Sequence, residues 1–246
     1  MHLNADTCAI MQPTYLPWLG YFDLIANVRE FIFLDDVKFN KSSYHHQNKI
    51  LGANGTIVLS VPTRAKNGRL GSLINEIDID NSVRWKKKHL MSIEQSYKKA
   101  PFFGEIYHHI EDIISSDIIK LSDLNIRLIK SFSSILMFKT SFHSASNMET
   151  LSKDKVEKLI KFCKIHECTS YFTPMGSLDY LDTRENKELF NSNDIEVFFQ
   201  NFKIIPYVQK KIEFTPYMSI LDALMYCGID GTRAILKKSH NISRLK

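Results

Sequence analysis

The chain has 246 residues, of which 44% are hydrophobic, 11% aromatic and 24% charged, a balance that excludes disorder and is sufficient for a real core. The 32 basic and 27 acidic residues leave a net charge of +5. Apart from Lys86, Lys87 and Lys88 the basic residues are scattered, so no nucleic-acid stripe forms, and the mild surplus suits an enzyme handling a phosphorylated or nucleotide-linked substrate or a protein near an anionic membrane.

Thr7 to Met11 is a short apolar run that predicts a strand opening into a loop at Gln12-Pro13. The loop, Gln12-Pro-Thr-Tyr-Leu-Pro-Trp-Leu-Gly20, combines two prolines with two large aromatic rings. Phe22, Ile25 and Val28 recur at helical spacing over Tyr21 to Val28, and Phe31 to Leu34 predicts a second strand stopped by Asp35-Asp36. Strand, helix and strand thus fall within the span of a βαβ unit. Val37 to Lys49 reads as a polar, aromatic loop or flap, Thr56 to Pro62 as a strand, and Arg64 to Ser72 as an exposed basic segment. Leu73 to Ile79 alternates like a half-buried strand.

Three helices are predicted next, over Ser82 to Lys99, Phe103 to Ile114 and Ile118 to Phe138. Asn81 or Ser82 can cap the first and Asp117 the third. The last third returns to alternation: a strand over Ser141 to Ser146, a helix over Lys153 to His166 and a strand over Ser170 to Thr173. A short helix over Glu185 to Asn191, a strand over Ile195 to Phe199, a loop around Pro206 to Gln209 and a helix over Ser219 to Cys227 complete it. The reading is one α/β domain over 1–246, a mostly parallel sheet with flanking helices and a helical middle section inserted at about 82–138.

Cys8, Cys163, Cys168 and Cys227 form no C-x-x-C pair, which predicts reduced, inert core thiols and a cytoplasmic home. The opening residues lack the layout of a signal peptide, and nothing approaches the ~20 apolar residues of a membrane span. No P-loop, dinucleotide or nucleophile-elbow motif is present. His45-His46 and His108-His109 lack partners at ligand spacing, so no metal is expected.

Ligands of open α/β sheets bind beyond the carboxyl ends of strands. Gln12, Tyr15, Trp18 and Tyr21 are therefore candidates to hold a base or sugar, unless the rings only plug the core. Asp35 and Asp36 end the second strand and can orient an amine or a hydroxyl; alternate residues point oppositely, so one of them is expected to face the site. Lys41, Asn48 and Lys49 follow. His89 shares a helical face with Trp85 and Tyr97, either as a general base or as a packed surface histidine.

Ile10-Met-Gln-Pro-Thr-Tyr-Leu-Pro-Trp-Leu-Gly-Tyr-Phe22, Phe33-Leu-Asp-Asp-Val37 and Asn48-Lys-Ile50 together resemble the WbqC-like family. The likeness continues at Lys88-His89, at Tyr97-Lys-Lys-Ala-Pro101, at Tyr171, over Gly176 to Leu181, at Tyr207-Val-Gln209, and at Phe214 with Ser219-Ile-Leu-Asp222. The resemblance adds Tyr97, Tyr171, Tyr207 and Gln209 to the binding candidates. It implies a cytoplasmic N-acyl transferase, for example glycyl, acting on the amine of a nucleotide-linked amino sugar in O-antigen or capsule synthesis. One departure is Gln47, where the family usually carries arginine; if that arginine grips an anion, Lys41 or Lys49 must substitute.

Acyl transfer from a thioester needs a base, oxyanion donors and close positioning. His89 or Asp36 is the expected base, and Gln12, Tyr15 or Asn48 the oxyanion donor. No tightly bound cofactor is expected; an acyl thioester on coenzyme A or on an acyl carrier protein is the co-substrate. Arg64 to Arg69 and the lysines at 86–88 can receive an acidic carrier protein. The alternatives are a nucleotidyl-transfer enzyme and a non-catalytic module that binds a carrier protein.

Overall fold

The structure is a computed structural model that describes every residue except 1, 2, 4, 41, 66, 67, 69, 70, 149–151, 153, 211, 212 and 246. In chain order its elements are β1 (Thr7–Met11), α1 (Leu19–Ala26), β2 (Glu30–Phe33), β3 (Gln47–Gly52), β4 (Gly55–Ser60), β5 (Thr63–Arg64) and β6 (Asp78–Ile79). Helices α2 (Trp85–Tyr97), α3 (Phe103–Ser115) and α4 (Leu121–Ile135) come next, then β7 (Ser141–Ser144), α5 (Lys155–Ile165) and β8 (Ser170–Pro174). The chain continues through α6 (Leu178–Leu181), α7 (Arg184–Asn191), β9 (Glu196–Gln200), α8 (Ile220–Ser239) and β10 (Ile242–Arg244).

Six strands form the main sheet in the order β10-β9-β8-β1-β2-β7. All neighbouring pairs are parallel except β10 with β9, so the fold is α/β with a mostly parallel sheet. Successive side chains of a strand point to opposite faces, and the cores follow that rule. Ala9, Phe31, Phe33, Phe172 and Phe198 join the larger apolar cluster with residues of α1 to α4 and α8. Cys8, Ile10, Ile32, Tyr171, Val197 and Phe199 join the second cluster with residues of α5 to α7. Helices therefore cover both faces. No described helix is long and apolar enough to cross a membrane.

Several elements depart from the sequence reading. The flap expected over Val37 to Lys49 ends in β3, which pairs with β4 in register from Gln47 opposite Ser60 to Gly52 opposite Gly55. Its inward residue Asn48 is polar, which hid the alternation; the amide is satisfied by donating to the carbonyls of Tyr15 and Leu16 at 3.1 and 2.8 Å. The strand expected over Leu73 to Ile79 is a 3-10 turn followed by β6, because the Glu76 carboxylate accepts the Leu73 amide at 2.8 Å and closes the turn. The expected caps are used elsewhere. Asn81 accepts from the Trp85 indole at 3.1 Å, Ser82 donates to Asp80 at 2.6 Å, and Asp117 pairs loosely with Lys86. Helix α8 runs 12 residues past Cys227; it does so by breaking its helical path at Gly228, where φ is +67° and ψ is −173°, a region open essentially to glycine.

Candidate functional site

Strands β2 and β7 lie to one side of β1 and β8 and β9 to the other, so the strand order reverses at β1 and β8. A crevice at such a reversal, at the carboxyl ends, is where open α/β sheets bind ligands. Gln12 follows β1 there, and its Oε1 lies 2.9 Å from His45 Nε2. The Asn40 amide donates to His45 Nδ1 at 3.3 Å, which leaves the proton on Nε2 to be donated to Gln12. Burial, helped by His46, lowers the His45 pKa to about 4. Asp35 is committed to the turn after β7, accepting from the Ser146 amide and hydroxyl at 2.9 and 2.6 Å. Asp36 pairs with Lys158 through Oδ2, while its Oδ1 is buried with no partner.

The aromatic residues of the loop after β1 do not form a stacking surface. Tyr15 is fully buried and Tyr21 nearly so; Tyr21 donates its hydroxyl to the Gln12 carbonyl at 3.0 Å. Trp18 is half-buried between Phe202 and Tyr217, with ring centroids 5.4 Å from each. A Cβ on Gly20 would come within 2.3 Å of its indole, so the glycine is required by that close approach. The chain carries cavities of about 650, 610, 500 and 420 Å³, and none of these four is lined by Tyr15, Trp18 or Tyr21. Tyr15 and Tyr21 are core plugs that fix the loop, and Trp18 packs against its edge.

His89 is corrected on the same ground. Its Nδ1 lies 2.8 Å from the Tyr15 hydroxyl, and the Ser60 backbone partly offsets the effect of burial on the ring. With 5% exposure it has no free lone pair facing solvent, and burial lowers its pKa to about 4. Tyr171 lies in the second core, stacked on Phe190 and donating to Thr173 Oγ1 at 3.1 Å; no edge is left for a ligand. Asn48 spends its amide on the loop, so it supplies no oxyanion contact. Lys49 is exposed, and its carbonyl holds the Ser219 amide at 2.8 Å. Lys41 lies outside the described residues, as do 66, 67, 69 and 70 of the basic segment. Lys86 is tied to the Ser116 carbonyl at 2.7 Å, so the lysines at 86–88 do not project as a unit.

Three predicted residues do meet, around a carboxylate that the sequence reading quoted without giving it a role. Asp222 stands in the first turn of α8, where the Ser219 hydroxyl accepts the Leu221 amide. Tyr97 donates to Asp222 Oδ1 at 3.1 Å, while Tyr207 and the Gln209 amide donate to Oδ2 at 3.0 and 2.6 Å. The Leu51 amide in turn donates to the Tyr97 oxygen at 3.1 Å. Burial raises the Asp222 pKa against the opposing pull of those three donors. The Tyr97 and Tyr207 phenols rise as well, through burial and the nearby carboxylate.

Beside this centre opens the cavity of about 610 Å³, lined by Gln95, Ser96, Lys98, Lys99, Pro101, Val208, Gln209, Lys210 and Tyr226. Ser96 is 5% exposed and its Oγ is buried without a partner. Three ammonium groups and no carboxylate occur among the described lining residues. The site thus offers positive charge, an uncommitted hydroxyl and, one residue behind Gln209, a carboxyl of raised basicity. An anionic ligand with a polar head fits that chemistry. Ser96, Lys98 and Asp222 escaped assignment because each stands on or at the end of a helix whose sequence shows only an amphipathic pattern. Their one signal was position within or beside the stretches Tyr97 to Pro101 and Ser219 to Asp222.

A family model described as the WbqC-like protein family matches residues 12–234. The uncharacterized protein Rv1507c of Mycobacterium tuberculosis is 34% identical over 225 residues, covering 91% of this chain and 94% of that protein. No solved structure gives a significant match.

Proposed function

The chain belongs to the WbqC-like protein family, and from that premise we propose that it is an enzyme transferring an acyl group, such as glycyl, to the amine of a nucleotide-linked amino sugar. Such a reaction serves bacterial surface polysaccharide synthesis, and its activated substrates belong to the cytoplasm. The observation that carries the reading is the lysine-fringed cavity against Asp222, with the unpartnered Ser96 hydroxyl buried in its wall. Lys98, Lys99 and Lys210 balance the diphosphate of the sugar nucleotide. Ser96, once its buried hydroxyl turns toward the cavity, donates to the carbonyl oxygen as it gains charge.

The amino group, an ammonium at neutral pH, loses one proton before it attacks. Tyr207 accepts that proton as it passes its own to Asp222 Oδ2, 3.0 Å away, and a carboxylate of raised pKa is the better acceptor. The new C–N bond forms as the C–S bond of the thioester breaks, and the second proton shed by the attacking nitrogen goes to the departing sulfur, which leaves as the thiol. No cysteine of the chain is needed as nucleophile.

The test mixes the protein with an acyl thioester and an amino-sugar nucleotide and follows product mass. The expected result is a mass increase equal to the acyl group, lost with the hydroxyl analogue of the sugar. Asp222→Asn should lower kcat by roughly 100-fold with little change in KM. Removing Lys98, Lys99 and Lys210 together should raise KM instead. Pyrophosphate release from a nucleoside triphosphate would identify a nucleotidyl-transfer enzyme, and binding without any mass increase a carrier-binding module.

A further inference from the structure

The proposed reaction uses nothing at the opposite, amino-terminal end of the sheet, where Glu30, His143 and His166 come together from three separate elements. Glu30 opens β2, His143 is the third residue of β7, and His166 follows the last residue of α5. Pairing sets two of them on one face. His143 is the partner of Ile32, and Ile32 lies two residues from Glu30 on the side covered by α5. The end of α5 brings His166 over the same spot. One donor atom from each residue lies within 4.8 Å of the other two.

Each donor is already aimed. Glu30 Oε1 takes the Arg29 guanidinium at 3.1 Å, which leaves Oε2 beside His143 Nε2 at 2.8 Å. The His143 and His166 rings stand 3.9 Å apart between centroids. His166 Nε2 is buried with no hydrogen-bond partner, although leaving such an atom unpaired is costly. The His166 carbonyl accepts Arg29 at 2.6 Å, which fixes the backbone that carries the ring.

We propose that Glu30, His143 and His166 bind a first-row divalent cation of the zinc type. Two imidazoles and one carboxylate oxygen suit such an ion better than magnesium or calcium, which take all-oxygen shells. Zinc–nitrogen bonds of about 2.0–2.1 Å put tetrahedral donors roughly 3.3 Å apart, so small rotamer changes close the shell around the ion. His143 and Glu30 stay 34% and 14% exposed at their side chains, which leaves an open fourth position for water. The ion would fasten the edge strand β7 to β2 and to the end of α5.

The experiment titrates the chelator-stripped, full-length protein with zinc by calorimetry and with cobalt by its visible absorption, the latter reporting four-coordinate nitrogen and oxygen ligation directly. The expected result is one equivalent bound, weakened at least about tenfold in both Glu30→Gln and His166→Gln. His108→Gln, which alters the other close histidine pair on α3, should leave the titration unchanged, and circular dichroism should show all three variants folded. Absence of stoichiometric binding, or equal binding by the parent and His166→Gln, would overturn the site. Loss confined to His108→Gln would overturn it too.

Discussion

His45 and His89 are both held neutral by burial, each with a pKa lowered to about 4. A group whose folded pKa lies below its unfolded value contributes stability above the unfolded pKa and loses it as pH falls through the folded one. The chain should therefore lose stability between pH 6.5 and about 4, by on the order of 1–3 kcal/mol for each histidine. Urea unfolding at pH 7.5 and pH 5 measures this, and His89→Gln should shrink the difference; equal midpoints at the two pH values would contradict it. Asp222 has the opposite sign, since its raised pKa makes it most favourable to folding when protonated. The histidines also show where reading from residues stops. His89 shares a face with Trp85, as helical spacing predicts, and their rings meet at 5.2 Å. Spacing along one helix carries no information about Tyr15, 74 residues earlier, which occupies Nδ1.

At the scale of elements, the parallel strands were legible because their faces are apolar and their ends carry turn residues. Strand β1 matches its expected bounds, and β2, β8 and β9 lie within a residue of theirs at either end. The misses share a cause: β3 buries an amide, and α8 crosses a glycine, so in each case a local signal contradicts a tertiary requirement. Gly228 is the sharper case. Besides its positive φ, an added Cβ would meet the Phe102 ring at 2.7 Å. Gly228→Ala should cost about 1–3 kcal/mol from the backbone alone, and more from the ring. A melting curve should fall by about 2–4 °C for each kcal/mol; an unchanged midpoint would show that the two halves of α8 can realign.

For the whole molecule, the α/β class followed from alternation, but the strand order did not, because order depends on which long connections close. The candidate centre was half visible for the same reason. Tyr97, Tyr207 and Gln209 became candidates through the family resemblance, yet only the folded chain brings segments near 97, 207 and 222 onto one carboxylate. Strand β10 illustrates a further whole-molecule role, closing the β9 edge through Ile242 opposite Gln200 and Arg244 opposite Phe198. Deleting Ile242 to Arg244 would bare a strand whose Val197, Phe198 and Phe199 are buried, and bare apolar edges recruit other chains. Light scattering and gel filtration should then show aggregation where the full chain stays dispersed.

The central position of β1 has a consequence for biogenesis. Its β2 side can be satisfied as soon as the first few dozen residues leave the ribosome, but its other neighbour, β8, begins only at Ser170. At translation speeds of ~5–20 residues per second the intervening chain takes on the order of ten seconds to emerge. Throughout that interval the nascent polypeptide displays the β8-facing edge of β1 to its surroundings, a window in which a holdase chaperone has something to grip.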